Sequence, residues 1–223
     1  MLVLTGGTPR SGTTWLTHLA QGVLGHTDET YRTVNANSPQ EVREAILSHC
    51  LGENTVVHFH AVIPLVQEVA KNGQAIVWYA FRDPGDILVS QMRWRDIDFE
   101  KALRMATASM NQFQKAVNDS NIRIVPYALL QKAPEAFIFQ LGREMGKILN
   151  FGDIHSIIEA CDISRNQKII QEISEGQEHQ DSLLAPGHIQ SGKLGRWKEE
   201  LSPQQQERVQ NTFQNFYSLF PDY

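Results

Sequence analysis

Apolar and polar positions alternate along this chain with two different periods. The run "LVLTGG" (2–7) is apolar up to a glycine turn, as expected of a strand buried on both faces. "TTWLTHLAQGVLG" (13–25) then spaces its apolar residues as a helix does and stops on glycine. In "SPQEVREAILSHCLG" (38–52), Ser38 and Glu41 form a capping box, Pro39 suits the first helical position, and Gly52 follows the end. A strand over 54–60, a helix over 61–73 and a buried strand over 75–83 follow, with Asp83 and Pro84 opening the next helix. A long helix is expected over 99–118, a fourth strand over 122–127 and a helix over 134–150. The pattern weakens over 153–192, where the polar stretch 164–191 reads as a short helix followed by mobile surface. Ser202, Pro203 and Gln205 open a last helix over 202–220.

Strands alternating with helices imply an α/β fold, a three-layer α/β/α sandwich around a central parallel sheet, here as one domain over 1–223. Ligands of such sheets bind beyond the carboxyl ends of the strands. That rule selects 6–14, 58–61, 82–90 and Tyr127.

The first of these places, "GGTPRSGTTWL" (6–16), nearly matches a nucleotide phosphate loop. Gly7, Gly12 and Thr14 stand where the pattern needs two glycines and a hydroxyl, but Thr13 replaces the lysine. A glycine turn from strand to helix still aims backbone N–H groups and the positive end of the helix dipole at one point. Arg10 offers a cation from inside the loop. Arg82 at a strand end and Ser90 two helical turns later can share another anion. Near the C-terminus, "GKLGRWK" (192–198) has the composition of an anion-binding flap, with Trp197 expected to plug the core.

With 41% hydrophobic and 20% charged residues, the chain is expected to fold rather than remain disordered. A formal charge of −5 argues against nucleic acid as a partner but allows a local anion pocket. Cys50 and Cys161 have no cysteine near them and no zinc spacing, as expected of reduced, buried thiols. No apolar run is long enough to span a bilayer, and a strand starting at Leu2 leaves no room for a signal peptide, so a cytoplasmic location is expected.

Taken together and in this order, the motifs resemble the sulfotransferases that use 3′-phosphoadenosine 5′-phosphosulfate (PAPS) and release adenosine 3′,5′-bisphosphate (PAP). "TPRSGTTWL" resembles the family's 5′-phosphosulfate loop, "FRDPGDILVSQMR" its 3′-phosphate strand and helix, "VPYALL" its adenine-contacting strand and "GKLGRWKEEL" its flap. The resemblance implies that Ser11, Gly12, Thr13 and Thr14 hold the 5′-phosphate and Trp15 stacks on adenine. Arg82 and Ser90 would bind the 3′-phosphate, Tyr127 would reach the adenine ring, and Gly192, Lys193 and Leu194 would belong to the flap. His60, in "VVHFHAVIP", matches the family's catalytic histidine; His58 is expected to be hydrogen-bonded within the protein. Arg10 replaces the family's loop lysine and would stabilise the leaving nucleotide. Gln190 and Ser191 stand where the family often has Arg-Lys, which leaves Lys193 or Arg196 to supply the flap charge. Arg165 takes the place of an aromatic facing adenine.

The reaction implied moves a sulfuryl group to a hydroxyl or amine of a small-molecule acceptor, without a metal and with His60 as general base. An atypical phosphate-loop kinase or NTPase, using Mg·ATP, is the alternative reading, and a non-catalytic nucleotide-binding module is a third. "KEELSPQQQE" (198–207) resembles a family dimer motif in part, so a homodimer stays open beside a simple capped helix.

Overall fold

A computed structural model describes residues 1–27, 30–49, 52–174, 183–184 and 192–221. Cys50, Gln190, Ser191 and most of 175–191, the stretch expected to be mobile surface, lie outside the described residues.

The elements run β1 (Leu2–Gly7), α1 (Thr13–His26), β2 (Tyr31–Ala36), α2 (Pro39–Leu47), β3 (Asn54–Phe59), α3 (Pro64–Lys71), β4 (Ile76–Phe81), α4 (Pro84–Arg95), α5 (Phe99–Val117) and β5 (Arg123–Pro126). They continue with α6 (Tyr127–Lys132), α7 (Pro134–Glu144), α8 (Phe151–Ala160), α9 (Ile163–Ser174), α10 (Trp197–Glu200), α11 (Pro203–Thr212) and α12 (Gln214–Leu219). The five strands lie in the order β2-β3-β1-β4-β5, all parallel.

The strands alternate their side chains between two apolar layers, the period of two expected of a pleated sheet. Leu2, Leu4, Val57, Phe59, Val77, Tyr79 and Phe81 pack with α2–α5 and the C-terminal helices. Val3, Val56, Trp78, Ala80 and Val125 pack with α1 and α6–α8. The sheet is thus covered on both faces, which gives the three layers. Strand order reverses at β1, so the carboxyl ends of β3, β1 and β4 border one crevice.

Four elements differ from the sequence-based expectation. At the sheet edge, β2 buries only Ala36, and so few apolar positions leave no period to read. β5 is the fifth strand and stops at Pro126; Tyr127 already opens α6. The helix expected over 134–150 ends at Glu144, where Gly146 takes φ 69° and the Lys147 amide turns back to the Gly142 carbonyl; Asn150 and Asp153 then form a capping box that starts α8. The last helix breaks at Phe213, whose ring is buried with Phe216, while Ser202 and Gln205 cap its first part as expected. Ser38 does accept the Glu41 amide, but the Glu41 carboxylate takes the Asn37 amide, so only half of that capping box forms.

Candidate functional site

The phosphate loop is braced by its own short side chains. The Thr8 amide donates to the Ala80 carbonyl (3.1 Å), which ties the loop to β4. Buried Ser11 keeps its hydroxyl 2.5 Å from the Thr8 carbonyl and 3.0 Å from that of Ala80. Thr13 Oγ1 also turns into the loop, 3.3 Å from Ser11 Oγ. Gly12 adopts φ 82°, and a Cβ there would stand 2.6 Å from the Tyr127 ring. Only glycine allows this approach. The first helical bond of α1 runs from the Leu16 amide to the Gly12 carbonyl, so the amides of Thr13, Thr14 and Trp15 lie ahead of the ladder. They join the positive end of the helix dipole at the crevice.

Two guanidiniums close the other side. Arg10, itself at φ 72°, donates from Nε to Ser90 Oγ (2.9 Å) and lies 4.9 Å from the Trp94 ring centre. Arg82 donates from Nη2 to Asp86 Oδ2 (3.3 Å) and to the Lys193 carbonyl (2.5 Å), and lies 4.6 Å from the Tyr127 ring centre. Burial, and then the charge of Arg82, push the Arg10 pKa down to about 10, so it remains a cation at neutral pH. Arg10 Nη1 and Arg82 Nε are buried without a hydrogen-bond partner. Two neighbouring cations with unspent buried donors call for an anion.

His60 follows β3 and stands half-buried at the same crevice. Its Nδ1 is 2.8 Å from the Gly7 carbonyl, which can only accept, so Nδ1 carries the proton and Nε2 is the basic nitrogen. Desolvation holds the imidazole pKa below its ordinary value, outweighing the bond to Gly7. His58 is buried, with Nδ1 3.0 Å from Asn35 Oδ1 on β2.

The flap is held by two carboxylates in "FRDPGD". Asp83 accepts from the Gly85 amide (2.7 Å), Trp197 Nε1 (2.9 Å) and the Tyr217 hydroxyl (2.9 Å). Asp86 accepts from the amides of Gly195 (2.8 Å) and Trp197 (3.4 Å) as well as from Arg82. Trp197 is 1% exposed and does plug the core. It crosses Gly85 so closely that a Cβ there would meet its ring at 2.5 Å.

One cavity is lined by Arg10, Gly12, Thr13, Thr14, Trp15, His60, Arg82, Ser90, Tyr127 and Gly192, all of them predicted. Three other predicted residues are not on its wall. Ser11 is turned into the loop. The Lys193 side chain points to Glu199 at 2.7 Å, so this residue serves Arg82 through its carbonyl. Leu194 lies in the turn that Asp86 holds. Arg165 lines a neighbouring cleft with His26 and Ser156. The wall also includes His18, Asp86, Trp94, Asn166, Leu184 and Arg196, none of which was assigned to this wall by sequence, Arg196 being expected only as one of two flap cations. Trp94 lies four residues after Ser90 on α4, a spacing that marks one helix face. Asn166 and Leu184 come from the stretch without a readable period, which offered no signal.

The family model of the sulfotransferase domain matches residues 2–221. No curated protein matches the chain significantly. Among solved structures, mouse sulfotransferase SULT7A1 complexed with PAP is similar with TM-score 0.72 and 14% identity, over 97% of this chain and 83% of that one. Retinol dehydratase in complex with androsterone and the inactive cofactor PAP is similar with TM-score 0.70 and 16% identity, over 96% and 80%. Its complex with retinol and PAP gives TM-score 0.70 and 15% identity over the same shares.

Proposed function

The chain belongs to the sulfotransferase domain family, and from that membership we propose that it moves a sulfuryl group from PAPS to a hydroxyl or amine of a small acceptor, with His60 as general base. The observation that carries this reading is the bond between His60 Nδ1 and the Gly7 carbonyl. It seats the base against the phosphate loop and reserves Nε2 for the acceptor.

The residues present fit such a donor. The unspent donors Arg10 Nη1 and Arg82 Nε suit its phosphates, and the amides opening α1 suit its 5′ side. Thr13 and Thr14 would hold the 5′-phosphate, Arg82 and Ser90 the 3′-phosphate, and Trp15 and Tyr127 the adenine. The donor supplies a sulfuryl group joined to a leaving nucleotide. His60 Nε2 would take the proton that the acceptor hydroxyl or amine gives up when the sulfuryl group passes to it and the sulfur–oxygen bond to the departing PAP breaks. Its lowered pKa keeps the imidazole neutral, and so ready as a base, at neutral pH. Arg10 is held towards α4 by Ser90, which makes it part of the anion cradle in this reading.

A kinase would need an acid at the end of β4 for magnesium. Asp83 and Asp86 are both committed to protein donors there, which favours the transferase. Calorimetry separates the two: a transferase binds PAP without metal, and a kinase binds only Mg·ATP. Replacing His60 by alanine is expected to lower turnover by about 10²–10⁴-fold with PAP affinity almost unchanged. Near-normal turnover in that variant overturns the assignment.

A further inference from the structure

Trp94 is the last residue of α4 on the cavity wall. The helix opens at Pro84, against the flap, and ends at Arg95, where Asp96 turns left-handed (φ 49°) and leads the chain away to α5. Ser90 and Trp94 are four residues apart and share one helix face. Pro9 and Val89, next in sequence to Arg10 and Ser90, add apolar surface to the same wall.

Two guanidiniums stand against the Trp94 indole. Arg10 Cζ is 4.9 Å from its ring centre and Arg95 Cζ is 4.6 Å from it. Both lie within reach of a cation–π contact. Burial and Arg82 lower the Arg10 pKa most, and the charge of Arg95 adds to them. Arg82 and Arg93 meet the carboxylates of Asp86 and Glu200. Among the described residues, Arg10 and Arg95 meet none. Asp98, close in sequence, is turned to the Lys101 amide. A chain of formal charge −5 thus keeps a positive corner at one edge of its cavity.

The donor read above accounts for Arg10 and Arg82, which lie on the wall. It does not account for Arg95, which is exposed and reaches the cavity only across Trp94. The second ligand, the acceptor, has to bring its hydroxyl or amine to His60 at this same cavity. An indole offers it a flat apolar face for a ring. A guanidinium beside that face offers a partner for an acid. An acidic acceptor meets the donor's phosphates as like charges, and a cation at its outer edge offsets that repulsion.

We propose that Trp94 and Arg95 bind the acceptor, and that the acceptor is an aromatic hydroxyl or amine compound that also carries an acidic group. Its ring lies on Trp94 and its acid pairs with Arg95. This rests on the sulfotransferase reading given above.

The test is calorimetry on PAP-loaded protein with two probes of similar size, para-hydroxyphenylacetate and the neutral para-hydroxyphenethyl alcohol. Wild-type protein is expected to bind the acid about fivefold more tightly, the scale of one exposed ion pair, with the preference shrinking at high salt. Arg95→Gln is expected to abolish the preference and keep PAP affinity, and Arg95→Glu to reverse the preference. Trp94→Ala is expected to weaken both probes. Binding of neither probe, equal binding of the two by wild-type protein, a preference that survives Arg95→Gln, or a loss of PAP affinity in that variant overturns the proposal and leaves the sulfotransferase reading intact. Unchanged binding of both probes by Trp94→Ala removes the indole from the site. Wild-type protein that binds no PAP overturns the reading beneath it.

Discussion

The phosphate loop and the C-terminal flap border the same cavity and both contain glycines, but they are held in different ways. The loop is braced by neighbours in sequence, with Ser11 and Thr13 turned onto Thr8, and is tied to the next strand through Ala80. Among the described residues, the flap's own side-chain pairs, Lys193 with Glu199 and Arg196 with Glu200, run to α10 rather than onto the turn's backbone. The flap's geometry comes from Asp83 and Asp86, more than a hundred positions earlier in the chain, and from the burial of Trp197. A self-braced loop can be recognised as a motif. A flap held from outside shows only its composition until its partners are known.

The largest expected effect comes from breaking the flap side. Trp197→Ala removes a buried indole and its bond to Asp83, and is expected to cost about 3–5 kcal/mol in chemical denaturation. A cost below about 1 kcal/mol would mean that the flap is not anchored through the core. The loop side is tested by Gly12→Ala. The left-handed backbone there costs an L-residue about 1–2 kcal/mol, and the new Cβ displaces Tyr127. Calorimetry should show PAP affinity falling by about tenfold or more; unchanged affinity would show that Gly12 and Tyr127 do not shape the site.

A smaller effect is expected from pH. As the general base proposed above, His60 would act when neutral, and burial lowers its pKa from 6.5. The profile of kcat/KM should therefore rise with pH through a value below 6.5 and stay level across neutral pH. A rise centred above that value would assign the base elsewhere. The smallest effect is expected from Lys193→Gln, which removes an exposed pair with Glu199 and keeps the carbonyl that serves Arg82. Its melting should correspond to a loss of about 0–1 kcal/mol; a larger loss would mean the flap depends on that pair.

Much of this architecture was legible in the sequence because it is local. Buried strands are continuous apolar runs, and Asp83, Ser202 and Gln205 sit at helix starts where their side chains cap the backbone. β2 was not legible, since an edge strand with one buried residue has no apolar period. The α7–α8 break was hidden because the expected helix ran on to Asn150 past the Gly146 stop, and Asp153 fell where the pattern weakens, so their capping box was not read. Asp83 was read as a cap, which it is; its bonds to Trp197 and Tyr217 come from the far end of the chain and leave no trace in local spacing.

The sequence by itself determined a parallel α/β sandwich and a glycine-rich phosphate loop, because strand period, helix caps and turn glycines act over a few residues. It also named Arg10, His60, Arg82 and Ser90 as the residues to watch. Only the tertiary structure decided which of them meet. It turned Arg10 to Ser90 and fixed the His60 tautomer through Gly7. It also set Arg196, rather than the Lys193 side chain, on the cavity wall. Those outcomes depend on sheet order and on carboxylates distant in sequence. A charge acts through space on whatever the fold places beside it.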